Sequence, residues 1–239
     1  EAGGYRCEQL FFFSESDIVV TGVMIHPQSA ARQTDIVVFE QGTKEMPAQS
    51  ARLRSLLAAN HRLLIFDVRG VGAVQTRTVN TDQPPHDTEF KLGCDAMMLK
   101  RSTLGMRVFD LLRAVDYLRS RDDVERIGLV GVDSGAILAY LAAALEPEVA
   151  ELTCENLLFS YRDLVFTRYY DRERFNLKTL AWGILPHFDL VDLLPCLAPR
   201  PCTFHALRNA QGTIQNGETW LATAAKQGYL PPNWSPSFR

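Results

Sequence analysis

The chemistry-bearing part of this sequence is the pentapeptide Gly131-Val132-Asp133-Ser134-Gly135. It joins a short apolar run, Arg126–Gly131, to an apolar helical run, Ala136–Leu145, with almost no loop between them. So sharp a strand-to-helix turn strains the backbone of its middle residue. It also brings the residues two before and two after into contact, which is why glycine stands at both places. The pattern is that of a nucleophile elbow, G-x-S-x-G, which thrusts one side chain out above the carboxyl end of a strand. Here the apex is Asp133 in place of serine.

Two side chains at this bend compete for a role. Asp133 reads best as the cap of the helix that begins near Ser134, its carboxylate accepting a backbone N–H at the positive helix end. As a nucleophile it would form an ester that a base-activated water must then cleave, and no base is evident from spacing. Ser134 is the alternative nucleophile. Shifting the motif by one residue puts Val132 and Ala136 at the crowded glycine places, so Ser134 reads better as the first helical residue with its hydroxyl near a pocket.

The remaining candidates are less specific. His205 falls near the carboxyl end of a buried strand and is expected to be a hydrogen-bonded core histidine, with a base role as the weaker option. His187, before Phe188-Asp189, is expected to order a loop. His26, His61 and His86 have no partner by spacing. Asp67 and Arg69 are expected to anchor a turn through an ion pair or backbone bonds. Tyr161, Arg162 and Trp182 are candidates for pocket lining. Gly70-x-Gly72 lacks the third glycine, the following helix and the acidic residue of a dinucleotide site, so no cofactor is expected.

The elements that must position these groups follow from patterning. Cys7–Phe13 and Asp17–Ile25, separated by polar residues, read as a hairpin. Asp35–Glu40, Arg62–Val68 and Arg126–Gly131 read as buried strands; Leu157–Phe159 and Pro201–Leu207 read as further parallel strands. Ala48–Asn60 reads as a helix, and Leu104–Arg121 carries Leu104, Val108, Leu111, Leu112, Val115 and Leu118 on one stripe. Gln75–Cys94, with Pro84-Pro85, reads as a polar surface excursion, and Tyr161–Leu197 as a mixed segment. Alternating strands and helices imply a three-layer α/β/α sandwich with a mostly parallel central sheet, in one domain over 1–239.

Bulk properties narrow the function classes. With 239 residues, 46% hydrophobic, and a net charge of −3, the chain can build one substantial core and shows no bias toward nucleic acid or an anionic membrane. No apolar run reaches bilayer-spanning length, so a soluble protein is expected, cytoplasmic or exported. Because the sequence opens at Glu1, a removed leader or a longer parent chain are both open. The five cysteines form no C-x-x-C pair, so neither a metal site nor a disulfide framework is expected, and most are expected to be buried.

Five segments together resemble the acetyl-xylan-esterase and dienelactone-hydrolase-like branch of the α/β hydrolases. They are Asp67-Val68-Arg69-Gly70-Val71-Gly72, Gly105-Met106-Arg107-Val108-Phe109-Asp110, the elbow, the run from His187 to Leu194, and Ala198-Pro199-Arg200-Pro201. The resemblance extends from the first hairpin to about residue 212. It implies a nucleophilic serine at position 133, an acid at position 209 and a histidine after one more helix and strand. The chain has Asp133 and Asn209 at the first two and no histidine after His205. It further implies an oxyanion hole from the Ser134 amide and one near Gln41–Gly42.

The functional expectation is an esterase-derived scaffold without a working triad, acting as a binding or packing module for a small ester or carbohydrate-like ligand. The alternatives are an active esterase using Ser134 and an aspartate-nucleophile hydrolase using Asp133. Sequence says nothing of the oligomeric state.

Overall fold

The structure is a computed structural model that describes residues 5–239 apart from 80, 82, 84, 85, 227, 229 and 232. Pro84-Pro85 of the excursion therefore lie outside the described residues. The chain opens with the expected hairpin, β1 (Arg6–Glu15) and β2 (Ile18–His26), paired antiparallel. Then come β3 (Gln33–Val38), α1 (Ser50–Ala58), β4 (Arg62–Asp67), α2 (Thr88–Met98) and α3 (Thr103–Arg119). β5 (Arg126–Val132), α4 (Ser134–Leu145), β6 (Glu151–Glu155), α5 (Tyr161–Phe166), β7 (Cys202–His205), α6 (Glu218–Lys226) and β8 (Ser237–Phe238) complete it.

The strands form one sheet in the order β1-β2-β4-β3-β5-β6-β7-β8. β2 runs antiparallel to both of its neighbours, and every pairing from β4 to β8 is parallel. Parallel strands need covered faces, and the patterning supplies them in the centre: β4 is buried at all six positions. Successive residues alternate between two cores. Ile36, Val38, Leu64, Phe66 and Leu129 face α3, α4 and α6, while Val37, Leu63, Ile65, Val130 and Val132 face Leu53 and Leu57 of α1. The result is the three-layer sandwich expected from the sequence, but a lopsided one, since α1 supplies the helix of its layer.

Beyond the apolar side chains of α1 the face changes character, with Arg52 of α1 pairing with Glu155. Thr153 and Glu155 of β6 lie in register with Val130 and Val132, so they point toward the α1 side, and Thr203 and His205 of β7 continue those rows. All four are partly exposed. This pattern hid β6. The strand lies at Glu151–Glu155, upstream of the expected Leu157–Phe159, because its alternation of polar and buried residues fits a sheet with one wet face. Leu158 makes only an isolated bridge to Arg208.

Two further differences concern the segments around the site. The excursion contains a helix, α2, capped by Asp87 accepting the Phe90 amide at 2.9 Å. Its apolar Met97 and Met98 are exposed, which is why no buried stripe marks it. Of the cysteines, Cys154 and Cys202 are buried, whereas Cys7 and Cys196 are exposed and Cys94 lies between. Burial pushes the Cys202 thiol up to about 12.

Candidate functional site

At the elbow the glycines do what the motif requires. A Cβ on Gly131 would overlap the Gly135 carbonyl, and one on Gly135 would overlap the Val38 carbonyl of β3. Asp133 between them adopts φ 53° and ψ −121°, a conformation costly for any side chain and held in place by its surroundings. The Asp133 amide bonds the Glu155 carbonyl at 3.0 Å, which ties the bend to the end of β6.

The Asp133 carboxylate is not a helix cap, since it makes no side-chain bond to the α4 amides. The positive φ turns it away from the helix axis toward two other elements. Arg174 Nη1 donates to its Oδ1 at 2.7 Å and Asn156 Nδ2 donates to the same oxygen at 3.0 Å. Asn156 is in turn oriented by Arg208, whose Nε donates to the Asn156 Oδ1 at 2.7 Å. No histidine bonds Asp133 or Ser134 among the described residues. The capping role expected of Asp133 is therefore not what its carboxylate does.

The other expected site residues are dispersed. Asn209 faces its own turn: its Oδ1 accepts the Gln211 and Thr213 amides at 3.1 and 2.8 Å, and makes no bond toward Asp133. His205 is partly exposed on the α1 side of β7, and its ring makes no hydrogen bond among the described residues, contrary to its reading as a bonded core histidine. The proposed oxyanion amides at Gln41 and Gly42 are already engaged. Gln41 N–H donates to Glu45 at 2.6 Å and Gly42 N–H to the Phe39 carbonyl at 3.2 Å. Only Ser134, at the first turn of α4, keeps an amide and a hydroxyl without a partner among the described residues. An oxyanion hole needs at least two donors aimed at one point, and of the three expected amides only that of Ser134 is without a partner among the described residues.

The cations on the site come from a cap formed by residues 167–189. Four residues after Arg174, Lys178 pairs with Glu40 at the end of β3, so one strap of chain lays two charges across the carboxyl edge of the sheet. The cap is well anchored. Tyr161 Oη donates to the Thr179 carbonyl at 2.6 Å, and the Asp171 amide bonds the Ala210 carbonyl at 2.8 Å. Its far end is held by Asp189, which accepts from the Tyr161 and Arg162 amides at 2.8 and 3.1 Å. The ordering role expected of His187 thus belongs to its neighbour two residues on, and His187 itself is exposed. Tyr161 and Trp182 serve the cap as anchors rather than pocket walls, Trp182 Nε1 donating to the Arg101 carbonyl at 3.1 Å.

Beside the cap two cavities, of 440 and 540 Å³, share Asp87, Glu89 and Lys178. The first lies between the cap, the Gly70–Gln75 turn and the excursion, and four of its charged residues pair with one another: Arg107 with Glu89 at 2.8 Å and Lys178 with Glu40. The second is bordered by Phe90, Tyr170, Phe175 and Leu177. Neither lining includes Asp133, Ser134, His205 or Asn209. Among the described residues no group of His, Cys, Asp and Glu could hold a metal ion, and no helix is long and apolar enough to cross a membrane.

The turn after β4 is the best-organised feature of this edge. Asp67 is fully buried and accepts from Thr43 N at 2.6 Å, Thr43 Oγ1 at 2.7 Å, Ala73 N at 2.9 Å and Thr21 Oγ1 at 3.3 Å. Gly42 and Gly72 pack so closely that a Cβ on either would strike its carboxylate. Arg69 does not pair with Asp67. It forks onto Asp110 of α3 at 2.5 and 2.8 Å and reaches Glu15 at 2.6 Å.

No protein-family model matches the chain. A candidate hydrolase of Bacillus subtilis (strain 168), YtaP, is 30% identical over 99 residues, which are 41% of this chain and 32% of that protein. The chain thus spans about a third of the curated relative it matches. Among solved structures, a candidate acetyl xylan esterase from Bacteroides fragilis superposes with a TM-score of 0.74 at 12% identity, over 100% of this chain and 67% of the other. The acetyl xylan esterase from Paenibacillus sp. R4 gives 0.64 at 15% identity, over 100% and 78%. The Pyrococcus furiosus esterase Pf2001 gives 0.64 at 14%, over 98% and 82%.

Proposed function

From the α/β-hydrolase fold of this chain, we propose that it is a hydrolase scaffold of esterase ancestry that has exchanged catalysis for binding or packing. The observation that carries this reading is the company kept by Asp133. A guanidinium and a carboxamide occupy its Oδ1, where turnover would require a group that accepts and returns a proton. A guanidinium stays protonated at any physiological pH and cannot act as a base. The amides at Gln41 and Gly42, spent on Glu45 and Phe39, are equally unsuited to an incoming oxyanion. The ligand consistent with the neighbouring cavities is a small molecule of ester or carbohydrate type.

The test is p-nitrophenyl acetate hydrolysis by the native chain and by Ser134→Ala and Asp133→Ala. A near-background rate unchanged by either substitution is expected. Robust turnover abolished by Ser134→Ala would replace this proposal with an active serine esterase. One observation favours a further reading: Asp133 Oδ2 takes neither of the two bonds at Oδ1, leaving a carboxylate oxygen free to attack. Mass spectrometry after incubation with a haloalkane or epoxide would detect an adduct on Asp133 if that oxygen is nucleophilic, and none is expected to turn over.

A further inference from the structure

The α1 face of the sheet is uncovered on both flanks of α1, and the two flanks are paved differently. On the β6–β7 side the sequence places the partly exposed polar residues Thr153, Thr203 and His205, with Glu155 paired to Arg52 of α1. On the β1–β2 side it places Phe11, Phe13 and Val19, which are 71%, 61% and 37% exposed. Phe13 and Val19 are directly paired, and Phe11 lies two residues along the same row, so the three form one patch. The polar flank shows how this protein finishes a sheet face meant for solvent. The aromatic flank is finished for a contact.

The backbone beside the patch is also open. β1 is the outermost strand of the eight, so one side of its ladder has no partner among the described residues. A ten-residue edge strand with exposed aromatics is a template for another strand. Its end charges choose the occupant and its direction. Arg6, which also pairs with Glu8 of its own strand at 2.8 Å, stands at one end, and Glu15, which also pairs with Arg69 at 2.6 Å, stands with Asp17 at the other. A second β1 running parallel would set like charges side by side. Running antiparallel about Phe11, it sets Arg6 of each copy toward Glu15 and Asp17 of the other and stacks the two Phe11 side chains at the centre.

We propose that this chain forms a twofold dimer by antiparallel β1–β1 pairing centred on Phe11, joining two eight-stranded sheets into one. Such an interface is isologous, so the same patch serves both copies. Both the hydrogen-bonding edge and the phenyl groups are then satisfied by one contact.

Sedimentation velocity on the native chain is expected to give twice the monomer mass. Phe11→Asp, at a position already open to solvent, is expected to give the monomer with an unchanged circular dichroism spectrum. The register is read by Phe11→Cys in a Cys7→Ser, Cys196→Ser background, which a short bis-thiol reagent should link into a covalent dimer. A cysteine at exposed Phe109 on α3 should not link. A native chain that stays monomeric at its highest attainable concentration overturns the proposal. So does a dimer indifferent to Phe11→Asp, or one that Phe11→Asp dissociates but Phe11→Cys fails to link.

Discussion

Asp67 and Asp133 leave the carboxyl ends of two parallel strands, β4 and β5, yet they are built in opposite ways. Asp67 is sealed from water and satisfied by four donors, none of them a cation. It holds the β4 turn to the 3-10 turn Gly42–Glu45 that follows β3 and is a structural fixture. Asp133 is 30% exposed, strained in its backbone and held through one oxygen by the 31% exposed Arg174 and by Asn156. The first carboxylate organises the backbone around itself. The second is organised by side chains that arrive from 23 and 41 residues away in sequence. The first site is a piece of scaffold, while the second presents a strained, partly exposed carboxylate whose hydrogen-bond partners are a guanidinium and a carboxamide.

The contrast can be broken most forcefully at Asp67. Asp67→Ala leaves two partly buried hydroxyls and two amides without their acceptor, and a loss of about 3 kcal/mol is expected in urea unfolding. A shift below about 1 kcal/mol would mean that water replaces the carboxylate and that the site is not sealed. At the elbow, Asp133→Gly should be more stable than Asp133→Ala by roughly 1–2 kcal/mol, because glycine adopts the positive φ without strain. Equal stabilities would show that the turn relaxes once the carboxylate is gone. Arg174→Ala is expected to lower stability by about 1 kcal/mol or less, as befits a partly exposed pair. A cost matching that of Asp67→Ala would erase the distinction between the two aspartates.

The smallest effect belongs to a third carboxylate, Asp35 of β3, which is buried and bonds the His61 ring at 2.6 Å. The hydrogen bond that the His61 ring donates to Asp35 raises the His61 pKa above its ordinary 6.5. Folding therefore gains most while His61 is charged in the native state, below its unfolded pKa, and loses that gain as pH rises through the raised native value. The stability difference between the native chain and His61→Gln should shrink across that rise. A difference that grows with pH would contradict the pairing. His26 offsets part of this trend, because burial lowers its pKa and acid then favours the unfolded chain.

Much of this architecture is legible in the residues, and the gaps have physical causes. β3 to β5 and α4 announce themselves because they are largely buried, and the hairpin and α3 because their apolar period is clean. β6 escapes because half of its residues face water, and α2 because its exposed Met97 and Met98 blur the stripe. The elbow bend itself is readable from Gly131 and Gly135, but the partners of Asp133 are not: Asn156, Arg174 and Arg208 meet only through the folding of the cap over the sheet edge. His61 and Asp35 illustrate the same limit, since their contact depends on the register between β3 and the start of β4. The one signal for Arg174 is that a half-buried apex carboxylate without histidine calls for a cation, and spacing alone does not say which arginine answers.

The uneven layering has a consequence for how the molecule opens. The amides of β3 and β4 are clamped between helices on both sides, whereas those of β6 and β7 have a helical layer on one side and solvent on the other. Deuterium uptake should accordingly run as a gradient across the sheet, quickest toward β7 and slowest at β4, and breathing of the slower half should approach the free energy of global unfolding.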